Sequence, residues 1–216
     1  MITEPNTCEA KCNCQTASLD TKLIVITGGP GAGKTAVLEM AKKVFCEHVA
    51  ILPEAASIIF GGGFWRLPSD PAKSAAQRAI FQVQKEMENL VLGERKWAVG
   101  LCDRGTLDGL AYWPGSPDSF WKESTSTIDS EYARYLAVIH LRSPTVELGY
   151  NYQNPLRIES PLQAAEIDNR IAEIWKHHPR YEVIESSENF MTKAEATMKL
   201  IVRNMPAGCD HSLKKS

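Results

Sequence analysis

Five short apolar runs, at residues 22–27, 49–52, 97–102, 135–141 and 181–184, are spaced along the chain with longer mixed segments between them. They are rich in Val, Ile, Leu and aromatics and too short to be core helices, so each reads as a buried strand. The intervening segments carry helical periodicity. Between residues 36 and 45, Val37, Leu38, Ala41, Val44 and Phe45 fall on one face. A short helix is predicted over 55–60, halted by Gly61, Gly62 and Gly63, and a long one from about Pro71 to Lys96, with the proline in its first turn. Further helices are predicted at about 107–113, from 161 to about 178, and at 190–205; residues 114–130 and the stretch from Arg142 to Pro161 read as loop.

Strands alternating with helices build a parallel sheet covered on both faces. The expectation is an α/β, three-layer domain with a five-stranded parallel sheet. Polar, aperiodic residues 1–20 read as a flexible leader and residues 206–216 as a polar tail, leaving one domain over 21–205. Ligands of such sheets bind beyond the carboxyl ends of the strands. Gly28, Glu54, Asp103 and Arg142 all fall just past strand ends, so all four are expected around one crevice.

One loop adds chemistry to this pattern. Gly28-Gly29-Pro30-Gly31-Ala32-Gly33-Lys34-Thr35 matches G-x-x-x-x-G-K-[ST], the P-loop or Walker A motif, and sits between the first strand and the first helix. Glycines let successive backbone N–H groups point inward, and the helix that follows adds its unpaired N–H groups and the positive end of its dipole. Lys34 brings a mobile charge to the β/γ-phosphates and Thr35 a hydroxyl ligand for Mg²⁺. ATP or GTP binding follows.

Asp103 closes the third strand, the place of a Walker B aspartate that supports Mg²⁺. Arg104 follows it, where an AAA+ motor would carry Glu. Asp-Arg at this point is a feature of small-molecule kinases. Thr106 and Asp108 either contribute to the site or simply cap and charge the next helix. Glu54 either takes a proton from a substrate hydroxyl or is an exposed residue in a helical first turn behind Pro53. Arg142 and Arg157 flank the irregular stretch, where arginines near a triphosphate neutralise the transferring group. Arg170 lies one helix further on and reads as a solvated charge. His177-His178 reads as surface, and the acceptor pocket is expected from the 60–68 loop and the region of Tyr112 and Trp113.

Composition narrows the classes. The chain has 216 residues, 44% hydrophobic and 23% charged, with a net charge of −2, which is ordinary for a soluble domain and unlike a strongly basic nucleic-acid binder. No apolar run reaches membrane-spanning length and no signal pattern opens the chain, so a cytoplasmic protein is expected. Cys8, Cys12 and Cys14 cluster in the leader without a complete zinc set and read as incidental to it.

The ordered motifs ITGGPGAGKT, PEAA, CDRGTLDGLAYW and NPLRIES resemble the NadR/TTD-type AAA-domain family in the kinase-like group of P-loop NTPases, over about residues 22–203. The resemblance implies a nucleoside/nucleotide kinase-like fold and ATP or GTP binding. It maps an acidic base after the second strand onto Glu54, the strand-three Asp-Arg onto Asp103 and Arg104, and a lid arginine onto Arg157. Many members of the family are AAA-type ATP-binding proteins of unknown substrate, and one animal branch resembles a GTP- and phosphoinositide-binding trafficking protein.

Two readings follow. In the first, a monomeric or dimeric kinase transfers the γ-phosphoryl group of Mg-ATP to a small metabolite. In it Lys34, Glu54, Asp103, Arg104 and Arg157 do the chemistry, residues 28–35 and Arg142 bind nucleotide, and Thr35 and Asp103 hold Mg²⁺. In the second, the protein is a slowly hydrolysing nucleotide-dependent switch with a macromolecular or phosphoinositide partner. The chain lacks an Asn/Thr-Lys-x-Asp guanine-selecting motif, which argues against a conventional small GTPase.

Overall fold

The structure, a computed structural model, describes residues 20–144, 160–187 and 189–205. Five strands form one parallel sheet in the order β2-β3-β1-β4-β5: β1 Lys22–Thr27, β2 Val49–Leu52, β3 Val99–Asp103, β4 Tyr135–Leu141 and β5 Tyr181–Ile184. The three-layer, five-stranded expectation is borne out. β1 lies at the centre and β3 beside it, and both are buried almost throughout, as their unbroken apolar runs require.

The helices divide between the two faces. On one, α1 (Lys34–Val44) and α7 (Phe190–Asn204) bury Val37, Leu38, Ala41, Met198 and Ile201 against β1, β3 and β4. On the other, α3 (Asp70–Glu94), α6 (Pro161–Trp175) and a 3₁₀ helix (Thr106–Tyr112) bury Val91, Ile171, Trp175 and Leu107. Each buried Val, Leu, Ile or Met among them contributes about 1.5–3 kcal/mol by leaving water. The short α2 (Ala55–Gly61) ends at its glycines and packs beside α3.

Three expectations are corrected. Residues 114–130 are not a plain loop: they hold α4 (Pro117–Ser124) and α5 (Ile128–Tyr132). Ser116 caps α4 by accepting from Ser119 N, with Pro117 in the first turn, and Thr127 caps α5. Phe120 of α4 is buried edge-on against Phe81, Trp113 and Trp121. Trp113 is therefore part of this aromatic cluster and not of a substrate pocket, and its Nε1 donates to Ser119 Oγ. His178 is not on the surface: it is buried against Trp175 and Tyr132, with Nε2 3.1 Å from Tyr135 O. Arg170 is exposed on α6, as expected. Arg157 and Cys8, Cys12 and Cys14 lie outside the described residues. Among the described residues no helix is long and apolar enough to cross a membrane.

Candidate active site

The phosphate loop leaves β1 at its carboxyl end and enters α1. Gly28 has φ 138°, and a Cβ there would stand 2.1 Å from Leu141 O; Gly33 has φ 92°, and a Cβ there would stand 2.9 Å from the Phe190 ring. Only glycine fits either place. Lys34 opens α1 and is buried, its Nζ donating to Gly28 O at 2.9 Å and Gly29 O at 3.0 Å. Burial, aided by the Arg104 charge, pulls its ammonium down to about 8. Thr35 Oγ1 donates to Asp103 Oδ2 at 3.1 Å. The other oxygen, Asp103 Oδ1, is buried with no hydrogen-bond partner among the described residues, and burial raises the pKa of this carboxyl. A threonine hydroxyl beside an orphaned carboxylate oxygen is a donor set that suits a hard divalent cation.

Arg104 and Glu54 form the second feature. Arg104 has φ 74°, an uncommon backbone conformation for a non-glycine residue, and sits directly after Asp103. Its side chain turns back over the site, with Nε donating to Glu54 Oε1 at 2.6 Å, one terminal nitrogen to Gly28 O at 3.0 Å, and the guanidinium over the Tyr112 ring. Glu54, at the mouth of α2, also accepts from Ser57 Oγ at 2.6 Å. Burial works against its ionisation, but the Arg104 and Lys34 charges outweigh that and hold its carboxyl at about 2. Glu54 is thus a charged hydrogen-bond acceptor at neutral pH and a feeble base. Asp108 is committed to structure: its oxygens accept from Thr27 Oγ1, Trp175 Nε1 and Gly105 N.

The other flank of the loop is held by residues the sequence reading passed over. Asp168 of α6 is buried, and its Oδ1 accepts from Gly29 N at 2.7 Å and from His140 Nε2 at 2.9 Å. With Nε2 donating, His140 Nδ1 accepts from the Tyr181 hydroxyl at 2.7 Å. Asp168 Oδ2 pairs with Arg142 at 3.0 Å. Burial pushes the Asp168 carboxyl up, but the His140 and Gly29 hydrogen bonds and the Arg142 charge hold it below the usual range. Lys193 of α7 is buried and donates to Ala32 O at 2.9 Å and Arg142 O at 2.5 Å. Burial draws its ammonium down to about 8. Both had a signal in the sequence. Asp168 stands in the stripe Ala164, Asp168, Ile171, Trp175, where only apolar residues are expected, and Lys193 likewise shares a face with Thr197 and Ile201.

The expected crevice is therefore two-sided. Glu54, Asp103 and Arg104 meet Lys34 and Thr35 on the β3 side of the loop. Arg142, past the end of β4, is tied to Asp168 and Asn169 behind the loop. A cavity of about 470 Å³ opens on the β3 side between α2, α3 and the 3₁₀ helix. It runs from Lys34 and Thr35 past Glu54 and Arg104, is walled by Phe60, Phe81 and Tyr112, and has Trp65 and Arg66 at its rim.

Residues 23–193 match the family described as AAA domain. The chain belongs to this AAA-domain family of P-loop proteins. Its fold is similar to that of a thymidylate kinase from Candida albicans, with a TM-score of 0.59 at 13% identity over 85% of this chain and 92% of that one. It is also similar to a thymidylate kinase from Ehrlichia chaffeensis, with a TM-score of 0.53 at 15% identity over 84% and 98%. No curated protein matches the chain. At this identity the likeness establishes a shared nucleotide kinase fold, which agrees with the sheet order.

Proposed function

We propose that this domain is a phosphotransferase that moves the γ-phosphoryl group of Mg-ATP, or Mg-GTP, to a hydroxyl of a small acceptor. The observation that carries this reading is one cavity that runs from Lys34 and Thr35, past the Glu54–Arg104 pair, to a wall of α3 residues beyond the phosphate loop. A nucleotide switch needs the phosphate loop but has no use for the space that extends past it. The thymidylate kinase likeness of the fold supports the same reading.

In this reading the loop amides and Lys34 hold the phosphates, and Thr35 and Asp103 would hold Mg²⁺, which neutralises charge on the β- and γ-phosphates. Glu54 accepts a hydrogen bond from the acceptor hydroxyl and aims its oxygen at the γ-phosphorus. The new O–P bond forms as the bond to the β-phosphate bridging oxygen breaks, and ADP leaves. The hydroxyl proton passes to Glu54 and on to solvent. A carboxylate held at about 2 suffices because a loose transition state asks for little proton transfer before bond formation. Arg104 steadies Glu54 and faces the transferring group; Arg157 is proposed as a further contributor.

The test is a panel of small hydroxylated acceptors with product detection. With an acceptor in hand, Glu54→Gln should lower transfer by roughly 10²-fold, the cost of misplacing the attacking oxygen, while ATP affinity stays within about threefold. A second reading, a nucleotide-dependent switch, draws on the exposed Phe64 and Trp65 at 39% and 77%, an apolar rim able to dock a partner. In that case no acceptor is phosphorylated and Glu54→Gln leaves slow hydrolysis intact.

A further inference from the structure

The carbonyl oxygens of Gly28, Gly29, Pro30 and Ala32 in the phosphate loop are all held by side chains. Lys34 Nζ donates to the first two, Ser143 Oγ to Pro30 O at 3.1 Å, and Lys193 Nζ to Ala32 O at 2.9 Å. Every peptide bond among the described residues is trans. In a trans unit C=O and N–H point to opposite sides of the chain. A donor on Pro30 O or Ala32 O therefore turns the N–H of Gly31 or Gly33 away from itself, toward the other face of the loop. α7 reaches the loop at two successive residues: Lys193 takes Ala32 O, and the Phe190 ring lies 2.9 Å from where a Gly33 Cβ would stand. Of the two outer donors, Ser143 and Lys193, only Lys193 carries a charge.

Packing alone does not account for that charge. Lys193 is 5% exposed and closes the first turn of α7, the positive end of the helix dipole, where a cation is disfavoured. No carboxylate among the described residues lies within ion-pair distance of it. Asp168 and Glu185 favour its charge from further off, and the Asp168 oxygens are spent on Gly29, His140 and Arg142. Its acceptors are two backbone carbonyls, Ala32 O and Arg142 O. A neutral side-chain amide could supply two donors without the cost of taking a full charge out of water. Burial lowers the ammonium only to about 8, so it stays charged at neutral pH. Across the Ala32–Gly33 peptide unit from this charge is the Gly33 N–H. A cation at the oxygen end and an anion at the N–H end polarise one peptide in the same sense, so each strengthens the other.

Resting on the reading of residues 28–35 as the nucleotide's phosphate loop, we propose that Lys193 is a positioning residue for the polyphosphate: its charge acts through the Ala32–Gly33 peptide unit, without touching the ligand, and fixes and strengthens the Gly33 N–H as a phosphate donor. The anion of the bound nucleotide is thus the counter-charge that the fold itself withholds from Lys193.

The test uses the full chain at neutral pH, with ATP, ADP and AMP as probes in Mg²⁺ buffer. Binding is read by calorimetry, and melts without nucleotide show that each variant is folded. Lys193→Met should weaken ATP and ADP roughly 10- to 100-fold and AMP, which brings a single phosphate, less than about threefold. Lys193→Gln keeps two donors and removes only the charge; it should follow Lys193→Met, and it carries the comparison if the methionine variant does not fold. Lys199→Met removes an exposed cation from the same helix and should leave all three affinities within about twofold. Parental ATP affinity in Lys193→Gln overturns the inference, because donors without charge then suffice. Equal weakening of ATP, ADP and AMP, or a lower melting temperature with unchanged ATP affinity, also overturns it and makes Lys193 a packing residue. Equal loss in Lys199→Met overturns it in favour of net charge. These results leave the kinase reading standing, whereas an unaltered chain that binds no ATP removes both.

Discussion

Replacing Asp168 by alanine is expected to loosen the phosphate loop from behind, and its cost can be worked from the hydrogen bonds it removes. Oδ1 accepts from Gly29 N at 2.7 Å and His140 Nε2 at 2.9 Å, and Oδ2 faces Arg142 at 3.0 Å. Alanine strands a buried amide N–H and a buried ring N–H, each at about 1–3 kcal/mol. The Arg142 side chain is 28% exposed and keeps Asn169, so its loss adds about 1 kcal/mol or less. The total is about 2–7 kcal/mol, or a fall in melting temperature of roughly 4–28 °C for a domain of this size. Asp168→Asn keeps the shape and one carbonyl acceptor and should cost less than half of that. Because Gly29 belongs to the loop, Asp168→Ala should also weaken Mg-ATP binding about tenfold, close to 1.4 kcal/mol. Circular-dichroism melts and calorimetric titration read the two effects separately. A melting temperature within about 2 °C of the parent refutes the burial argument. A large drop with unchanged ATP affinity refutes the link to the loop and leaves Asp168 a packing residue only.

Lys34 makes nucleotide binding pH-dependent: burial holds its ammonium at about 8 in the free protein and the triphosphate favours the charged form, so binding takes up a proton. Affinity should be full below pH 8 and decline above it, as read by titration in buffers of different ionisation enthalpy; Lys193→Met, removing the other amine held at about 8, should leave part of the decline in place, and a flat profile to pH 9 would sink the idea. The same shift acts oppositely on stability, because between pH 8 and the ordinary lysine value of 10.5 the unfolded chain binds more protons, so Lys34 contributes increasing stability as pH rises there. Asp103→Asn should reduce Mg²⁺-dependent turnover at least 10²-fold while Mg²⁺-free nucleotide affinity changes less than about threefold; equal loss of both would make Asp103 structural.

What was legible in the sequence is what chain-local physics dictates. The glycines at 28 and 33 serve backbone angles and close approaches that side chains forbid, and the lysine and threonine follow them in the same turn, so the phosphate site could be read from eight consecutive residues. Strand periodicity likewise marked β1 to β5, and strand ends placed Glu54 and Asp103 on the correct side of the sheet. Tertiary structure decided everything that depends on which helix face meets which neighbour. The caps of α4 and α5 were lost in a run of Ser, Thr and Pro; α4 stands because Phe120 finds a cluster supplied by α3 and Trp113, and α5 is held through buried Glu131, which accepts from Thr106 Oγ1. Glu54 could be placed as a carboxylate near the phosphates, but only the positive φ of Arg104, turning a guanidinium onto it, settled that it stays charged and binds protons weakly. Asp168 and Lys193 looked like ordinary polar residues of amphipathic helices, and they matter because the fold buries them. A hydrogen-bonding group acquires its energetic weight from the water it loses, and that loss is a property of the packed sheet and helices, invisible in any local stretch of chain.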